Sequence, residues 1–315
     1  MIKKNVNIDK SIAQIDSMFP SELKKYFVHS KLDYDWGMII SDVGHVNVAP
    51  NRNYPPEEHP TSHMFSWNRG RTLNGYQLLI VTHGEGVLES EYDGTVALNK
   101  GDAFILLPGE WHRYKPKINI GWTEIWLGFR GEIADIIMKD YVTKKRKTII
   151  KNCLNMSIIN LFTAVFQLAT EQPFGYQKTA SSICMQIVAE IQNTQHKNDR
   201  PIFDNSIISK AKHLMQKKIE NTFDLSSFCK LNRVSYSKFR SDFKNQTGLA
   251  PMQYYILLKI EKAKFLLINT DLKAKEIAFQ IGFSSEHYFC RLFKKKTGFS
   301  TKEFKLNSCL KSSNT

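Results

Sequence analysis

The 315-residue sequence contains no run of eighteen or more consecutive apolar residues, which excludes a membrane-spanning helix on length alone. Its opening, Met1-Ile2-Lys3-Lys4-Asn5-Val6-Asn7, leads into a mixed polar stretch rather than the apolar core of a signal peptide. The chain is therefore expected to stay in the cytoplasm with no membrane partner. Cysteine is sparse. Cys153, Cys184, Cys229, Cys290 and Cys309 are scattered with no C-x-x-C pair and no neighbouring His pattern, which points to reduced thiols and away from structural zinc. No Ser-centred nucleophile elbow and no glycine-rich phosphate loop occurs either, so hydrolytic and nucleotide-driven chemistry lacks its machinery and no cofactor is implied.

Acidic residues are the other scarce class, and their scarcity is local. The formal net charge is +14; residues 205–306 hold 20 Lys+Arg against 8 Asp+Glu, while residues 1–204 are nearly balanced at 23 against 22. A positive field confined to one end is the footprint of a nucleic-acid-binding module, because phosphate contact and counterion release need clustered cations. What is abundant is aromatic and apolar material: twenty Phe, twelve Tyr and a hydrophobic share of 42%. That is the composition of a globular protein, and the length favours two folding units over one.

From Trp36 to about Arg130, short apolar runs alternate with turn residues. Gln77–Thr82 precedes Gly84-Glu85-Gly86, Val96-Ala97-Leu98 leads through Asn99-Lys100-Gly101-Asp102 into Ala103–Leu107, and Trp122–Phe129 alternates around Ile125 and Leu127. Regular short strands predict a small antiparallel barrel or sandwich. After Gly131 the period becomes helical, through Ile158, Leu161, Phe162, Val165, Phe166 and Ala169, then Ile183, Ile187, Val188 and Ile191. Two antiparallel helices are predicted, broken at Gln172–Gly175; they either cover the barrel or form a dimer interface. Asn193–Pro201 is polar and helix-breaking, and reads as a linker.

Beyond the linker, Ile208, Ala211, Met215 and Ile219 mark one helix, and Phe228, Cys229 and Leu231 mark a short second one. Ser235 then caps a third, whose Phe239 and Phe243 face inward and leave Ser237, Arg240, Ser241 and Lys244 outward at i, i+3, i+4, i+7. The same grammar returns about fifty residues later. Glu276–Phe283 is the short helix and turn, Ser284 stands where Ser235 stood, Phe289 and Phe293 pack inward, and His287, Cys290, Arg291 and Lys294 look outward. Thr297-Gly298 closes this helix as Thr247-Gly248 closed the first. Between the repeats Pro251 opens a helix of about eighteen residues, roughly 27 Å long. A spacer of that length suits two recognition helices in adjacent major-groove segments, which recur about every 34 Å.

These residues resemble the AraC/XylS family of transcription regulators, most strongly in Ile277-Ala278-x-x-x-Gly282-Phe283-Ser284 and in Phe289-x-x-x-Phe293-Lys294-x-x-x-Gly298-Phe299-Ser300. The resemblance implies duplex DNA as partner, with two adjacent half-sites read per chain. Carried over by position, base-reading residues are Ser237, Arg240 and Ser241 in the first unit and Glu286, His287, Cys290 and Arg291 in the second. Lys244, Lys294 and Lys295 are assigned to phosphates. Arg240 and Arg291 are the expected guanine readers, since a guanidinium fork matches O6 and N7. Cys229 replaces the alanine usual in the family.

The first two hundred residues resemble the family's cupin-like sensor more loosely, through Arg69–Tyr76, Gly84-x-Gly86, Lys100-Gly101-Asp102, Pro108–Tyr114 and Trp122–Trp126. The sugar-responsive branch is the most similar, which implies a small-molecule effector, a carbohydrate, in a pocket lined by Arg69, His112, Tyr114, Glu124 and Trp126. The chemistry suits a polyol: Trp126 offers a stacking face, Arg69 and Glu124 offer donors and acceptors, and Arg71 competes with Arg69 for its role. Glu124 stands where the best-known sugar sensors have histidine. Cupin enzymes hold a metal on a His-x-His pair; here His112 is followed by Arg113 and Tyr114, and His59 and His63 lie in a Pro-rich stretch, so neither an enzyme nor a metal site is expected. The resemblance further implies a homodimer and leaves contact with RNA polymerase open. The alternative reading is a regulator without an effector, its barrel used for dimerisation or for a protein partner.

The expected fold class is thus α+β multidomain. An N-terminal arm (1–35) precedes a cupin-like domain (36–195), with an antiparallel barrel at about 36–130 and two appended helices at about 133–195. A linker (196–204) joins it to an all-α domain of two helix-turn-helix units (205–306), followed by a tail (307–315).

Overall fold

The computed structural model describes residues 22–55, 64–143, 148–198 and 205–312. It divides into two units, Met1–Pro201 and Ile202–Thr315.

The first unit runs β1 (Leu23–Tyr26), the single-turn α1 (Lys31–Tyr34), β2 (Ile39–Val48), β3 (Tyr76–Ser90), β4 (Gly94–Asn99), β5 (Ala103–Leu106), β6 (His112–Pro116), β7 (Trp122–Arg130), α2 (Glu132–Thr143), β8 (Ile149–Ile150), α3 (Met156–Glu171) and α4 (Tyr176–Asn198). Every strand pairing is antiparallel. The spatial order is β1-β2-β7-β3-β5-β8, with β4 and β6 pairing the far half of β3. The long β3 changes partners after its irregularity at Val81/His83, which carries the sheet round into a barrel.

Period-2 geometry sorts the strand residues between two separate cores. Leu78 and Ile80 of β3, Ala103 and Ile105 of β5, and Ile125, Leu127 and Phe129 of β7 join the inward faces of α3 and α4. Their neighbours Leu79, Val81, Phe104, Leu106, Trp122 and Trp126 fill the barrel interior with Val46, Val48 and Tyr114. The alternation expected of β7 is therefore hidden in its burial: eight of its nine residues are buried, because helices cover one face and the barrel covers the other.

Several boundaries differ from the sequence reading. Within the expected arm, residues 23–26 form β1, which pairs with β2 in register Leu23 to His45. A third helix, α2, and the two-residue β8 precede the two appended helices, because Gly131 ends β7 and Ala134, Met138 and Tyr141 carry apolar surface back onto the sheet. Asn193–Asn198, assigned to the linker, continues α4; polar residues extend a helix already nucleated by Ile187, Val188 and Ile191. Most of the linker lies outside the described residues.

The second unit is α5 (Asn205–Lys217), α6 (Leu225–Leu231), α7 (Tyr236–Thr247), α8 (Pro251–Asn269), α9 (Ala274–Gln280), α10 (Glu286–Thr297) and α11 (Thr301–Ser312). Residues 307–312, expected to belong to the tail, instead complete α11. The two halves duplicate each other in detail. Phe239 and Phe243 have ring centroids 5.6 Å apart, Phe289 and Phe293 5.7 Å. Thr247 Oγ1 donates to Phe243 O and Thr297 Oγ1 to Phe293 O, at 2.7 and 2.9 Å. Gly248 and Gly298 then end α7 and α10 in the left-handed conformation.

Candidate ligand cavity and DNA interface

β7 supplies the inward row Trp122, Glu124 and Trp126, and the cavity beside it is lined by Tyr26, Tyr54, Phe65, Arg71, Gln77, Tyr114, Glu124 and Trp126. The indole of Trp126 fits because residue 44, on the paired strand, is glycine: a Cβ there would lie 2.2 Å from Trp126 Cζ2. Trp126 Nε1 donates to Asp42 Oδ1 at 3.0 Å, and Gln77 Nε2 donates to the same oxygen at 3.1 Å. Gln77 Oε1 in turn accepts from Arg71 Nη2, which also donates to the Tyr114 hydroxyl at 2.8 Å. A continuous polar chain therefore runs Trp126, Asp42, Gln77, Arg71, Tyr114, all within or bordering the barrel.

Arg71 is the arginine in this cavity, and Arg69 is not. Arg69 is exposed, and its carbonyl accepts from Trp111 Nε1. A backbone bridge between Arg71 and His112, with hydrogen bonds of 2.9 and 3.0 Å, holds residue 71 beside β6, and its guanidinium reaches the Tyr114 hydroxyl. The guanidinium lies 4.9 Å from the Phe65 ring centroid and 5.6 Å from that of Tyr114.

His112 stands behind the arginine rather than in the cavity lining. Arg71 Nε can only donate, so His112 Nε2 accepts, and the ring proton sits on Nδ1, 3.0 Å from Glu110 O. Burial, helped by the Arg71 charge, pushes the His112 pKa down to about 4, which keeps that tautomer neutral at physiological pH.

Glu124 carries the least satisfied charge of the cavity. Oε1 accepts from the Tyr54 hydroxyl at 2.8 Å, whereas Oε2 is buried with no hydrogen-bond partner among the described residues. Burial raises its pKa to about 7, partly opposed by the Tyr54 hydrogen bond and by Arg71. Tyr54 packs edge-on to Trp122 at 5.7 Å and leaves a cavity of only about 20 Å³, the room that about one water needs. Tyr54, Phe65, Gln77 and Asp42 carried no local signal in the sequence; they reach the cavity through long-range strand pairing and loop packing. His59 and His63 lie outside the described residues.

In the second unit, Ser237, Arg240, Ser241 and Lys244 are all exposed on α7, as are Glu286, His287, Arg291, Lys294 and Lys295 on α10. Two sequence expectations change. Cys290 is half-buried against the second core and hydrogen-bonded to the Thr301 side chain, so its thiol turns toward α11 instead of joining the outward row. Ser285, not Ser284, caps α10, accepting from Tyr288 N; the second turn is one residue longer than the first, which turns the 49-residue offset of α6 and α9 into the fifty-residue offset of the Phe pairs. Among the described residues, no helix is long and apolar enough to cross a membrane.

Comparison with known proteins assigns residues 50–188 to the AraC-like ligand binding domain and residues 228–307 to a helix-turn-helix domain. The chain is 24% identical over 234 residues to the HTH-type transcriptional activator RhaR of Mannheimia succiniciproducens, spanning 73% of this chain and 84% of the relative. It is 23% identical over 246 residues to the arabinose operon regulatory protein of Escherichia coli, spanning 76% and 84%. Among solved structures, the C-terminal domain of the response regulator AraT from Geobacillus stearothermophilus matches at 28% identity and a TM-score of 0.31, covering 32% of this chain and 84% of that one.

Proposed function

Because the chain belongs to the AraC family of DNA-binding transcription regulators with an N-terminal ligand-binding domain, we propose that it is a transcription activator gated by a carbohydrate held in the barrel. The observation that carries this reading is the duplicated exposed row on α7 and α10. Each row offers an arginine with serine or histidine neighbours for base edges and a lysine for phosphates, and both hang on one spacer helix. The base readers are Ser237, Arg240 and Ser241, then Glu286, His287 and Arg291; Lys244, Lys294 and Lys295 hold phosphate. At 19 residues α8 is about 28 Å long, within reach of the about 34 Å repeat of the groove.

The effector reading rests on cavity chemistry. A sugar offers alternating donors and acceptors and an apolar C–H face; Arg71, Gln77 and Glu124 supply the polar complement, and Trp126 and Tyr114 supply the rings. Tyr54 holds one carboxylate oxygen as a sugar hydroxyl would, so the effector displaces it on entry. Relatives named for an arabinose operon favour a sugar over other polyols. The protein acts as a cytoplasmic homodimer that presents its DNA-bound form to RNA polymerase.

Calorimetric titration of pentoses, hexoses and deoxyhexoses into the full-length protein tests the effector, followed by selection of bound genomic duplexes with and without the ligand found. One sugar that binds and changes duplex selection is the expected result. A panel silent throughout, with DNA binding intact, would leave a regulator that needs no effector.

A further inference from the structure

The two helix-turn-helix units do not share a hydrophobic core. The first is built on Phe223, Phe228, Phe239, Phe243 and Tyr255, with Tyr254 and Leu258 packed against it. The second is built on Ile260, Ala263, Leu267, Ile277, Phe289 and Phe293, with Ile256 against it. The spacer α8 thus gives its first turns to one core and its later turns to the other. Lys259 stands on the boundary, belongs to neither, and is 5% exposed.

A buried ammonium needs acceptors for its protons, and these come from both sides of the boundary. Lys259 Nζ donates to Asn221 O at 2.9 Å and to Gly282 O at 3.2 Å. It also lies 4.9 Å from the Tyr255 ring centroid and 5.3 Å from that of Phe283. Asn221 belongs to the α5–α6 connection of the first unit; Gly282 belongs to the turn that launches α10. Backbone also meets backbone closely at the seam: a Cβ at residue 282 would stand 2.6 Å from Glu220 O, as well as 2.9 Å from Lys259 Nζ. Position 233, in the matching turn of the first unit, also has positive φ but carries an exposed arginine. Glycine at 282 therefore answers to the close approach of the two units and not to the turn alone.

We propose that Lys259 is a positioning residue for DNA recognition: by tying the α5–α6 connection to the α9–α10 turn, it fixes the angle between α7 and α10 and hence the spacing of the two half-sites the chain reads. This rests on the DNA-binding reading above. Without the tie, each unit still folds on its own core and still meets its own half-site. The two merely cease to be held in one register, and the advantage of simultaneous engagement falls.

The test uses full-length wild type, Lys259→Met, which keeps the buried stem but removes the donors, and Lys259→Arg, which restores donors. The probes are a duplex selected by the wild type from a random library, the same duplex with either half scrambled, and versions with one base pair inserted or deleted between halves, which rotates them by about 35°. Lys259→Met is expected to lose about tenfold or more on the intact duplex, to match wild type on either half alone, and to lose its discrimination between spacings. Lys259→Arg is expected to recover that discrimination. Equal losses on intact and scrambled duplexes would show a generally weakened domain and overturn the proposal, as would an unchanged spacing preference. A wild type that selects no duplex would instead remove the DNA-binding reading itself.

Discussion

The Tyr54 hydroxyl donates to Glu124 Oε1 at 2.8 Å inside the barrel, so a residue from the loop after β2 satisfies one oxygen of the carboxylate on the inward row of β7. An incoming ligand must compete with that bond. Tyr54→Phe keeps the ring and removes the hydroxyl, leaving Glu124 more eager for an external donor. Effector affinity is expected to rise by about three- to tenfold, the worth of one net hydrogen bond, in calorimetric titration. Unchanged or weaker binding would mean that Tyr54 does not stand in for the ligand.

Glu124 makes stability depend on pH in a definite direction. Its carboxyl titrates near 4.5 when unfolded and at about 7 when folded, so the folded form favours the proton. The stabilisation from protonated Glu124 is complete below about 4.5 and is lost as pH rises through about 7. Thermal unfolding of Glu124→Gln should therefore show a flatter dependence between those values than wild type. Parallel curves for the two proteins would place the titration elsewhere.

Arg71 lines the cavity and Arg69 is exposed outside it. Arg71→Ala cuts the link between Tyr114 and Gln77 and leaves His112 Nε2 without its donor, so sugar affinity is expected to fall by about tenfold or more. Arg69→Ala removes an exposed side chain that does not line the cavity, and should bind as wild type. Calorimetry on both variants decides; the reverse pattern would return the role to Arg69.

What the sequence disclosed depended on how local the determining physics is. The double helix-turn-helix was legible because Phe239/Phe243 and Phe289/Phe293 repeat at helical spacing with cations on the opposite face. Glu124 and Trp126 came from the family resemblance, and strand alternation explains why both line the cavity from one face of β7. Asp42 and Gln77 were not legible, since their role arises from β2–β7 and β3–β7 pairing across more than thirty residues of chain. The choice between Arg69 and Arg71 turned on a bridge to His112 that no local pattern encodes. Cys290 looked outward by helical periodicity alone; Thr301 on the following helix drew it in.

On the DNA side, Arg291 and Lys295 are both exposed on α10, and the proposed function gives them different tasks. Arg291→Ala should relax base preference at one position by about 1–3 kcal/mol, read by competition between single-base variants of the selected duplex. Lys295→Ala should weaken all sequences alike and make the salt slope shallower by about one. Identical profiles for the two variants would show that base and phosphate contacts are sorted wrongly.

The central claim is that α7 and α10 present cations and hydrogen-bonding groups to a duplex. Its most direct test is the affinity of full-length protein for its selected duplex across a salt series. With at least Lys244, Lys294 and Lys295 on phosphates, log K is expected to fall linearly against log salt with a slope of about −3 or steeper. Affinity that does not respond to salt, or no affinity for any duplex with or without a sugar present, would contradict it.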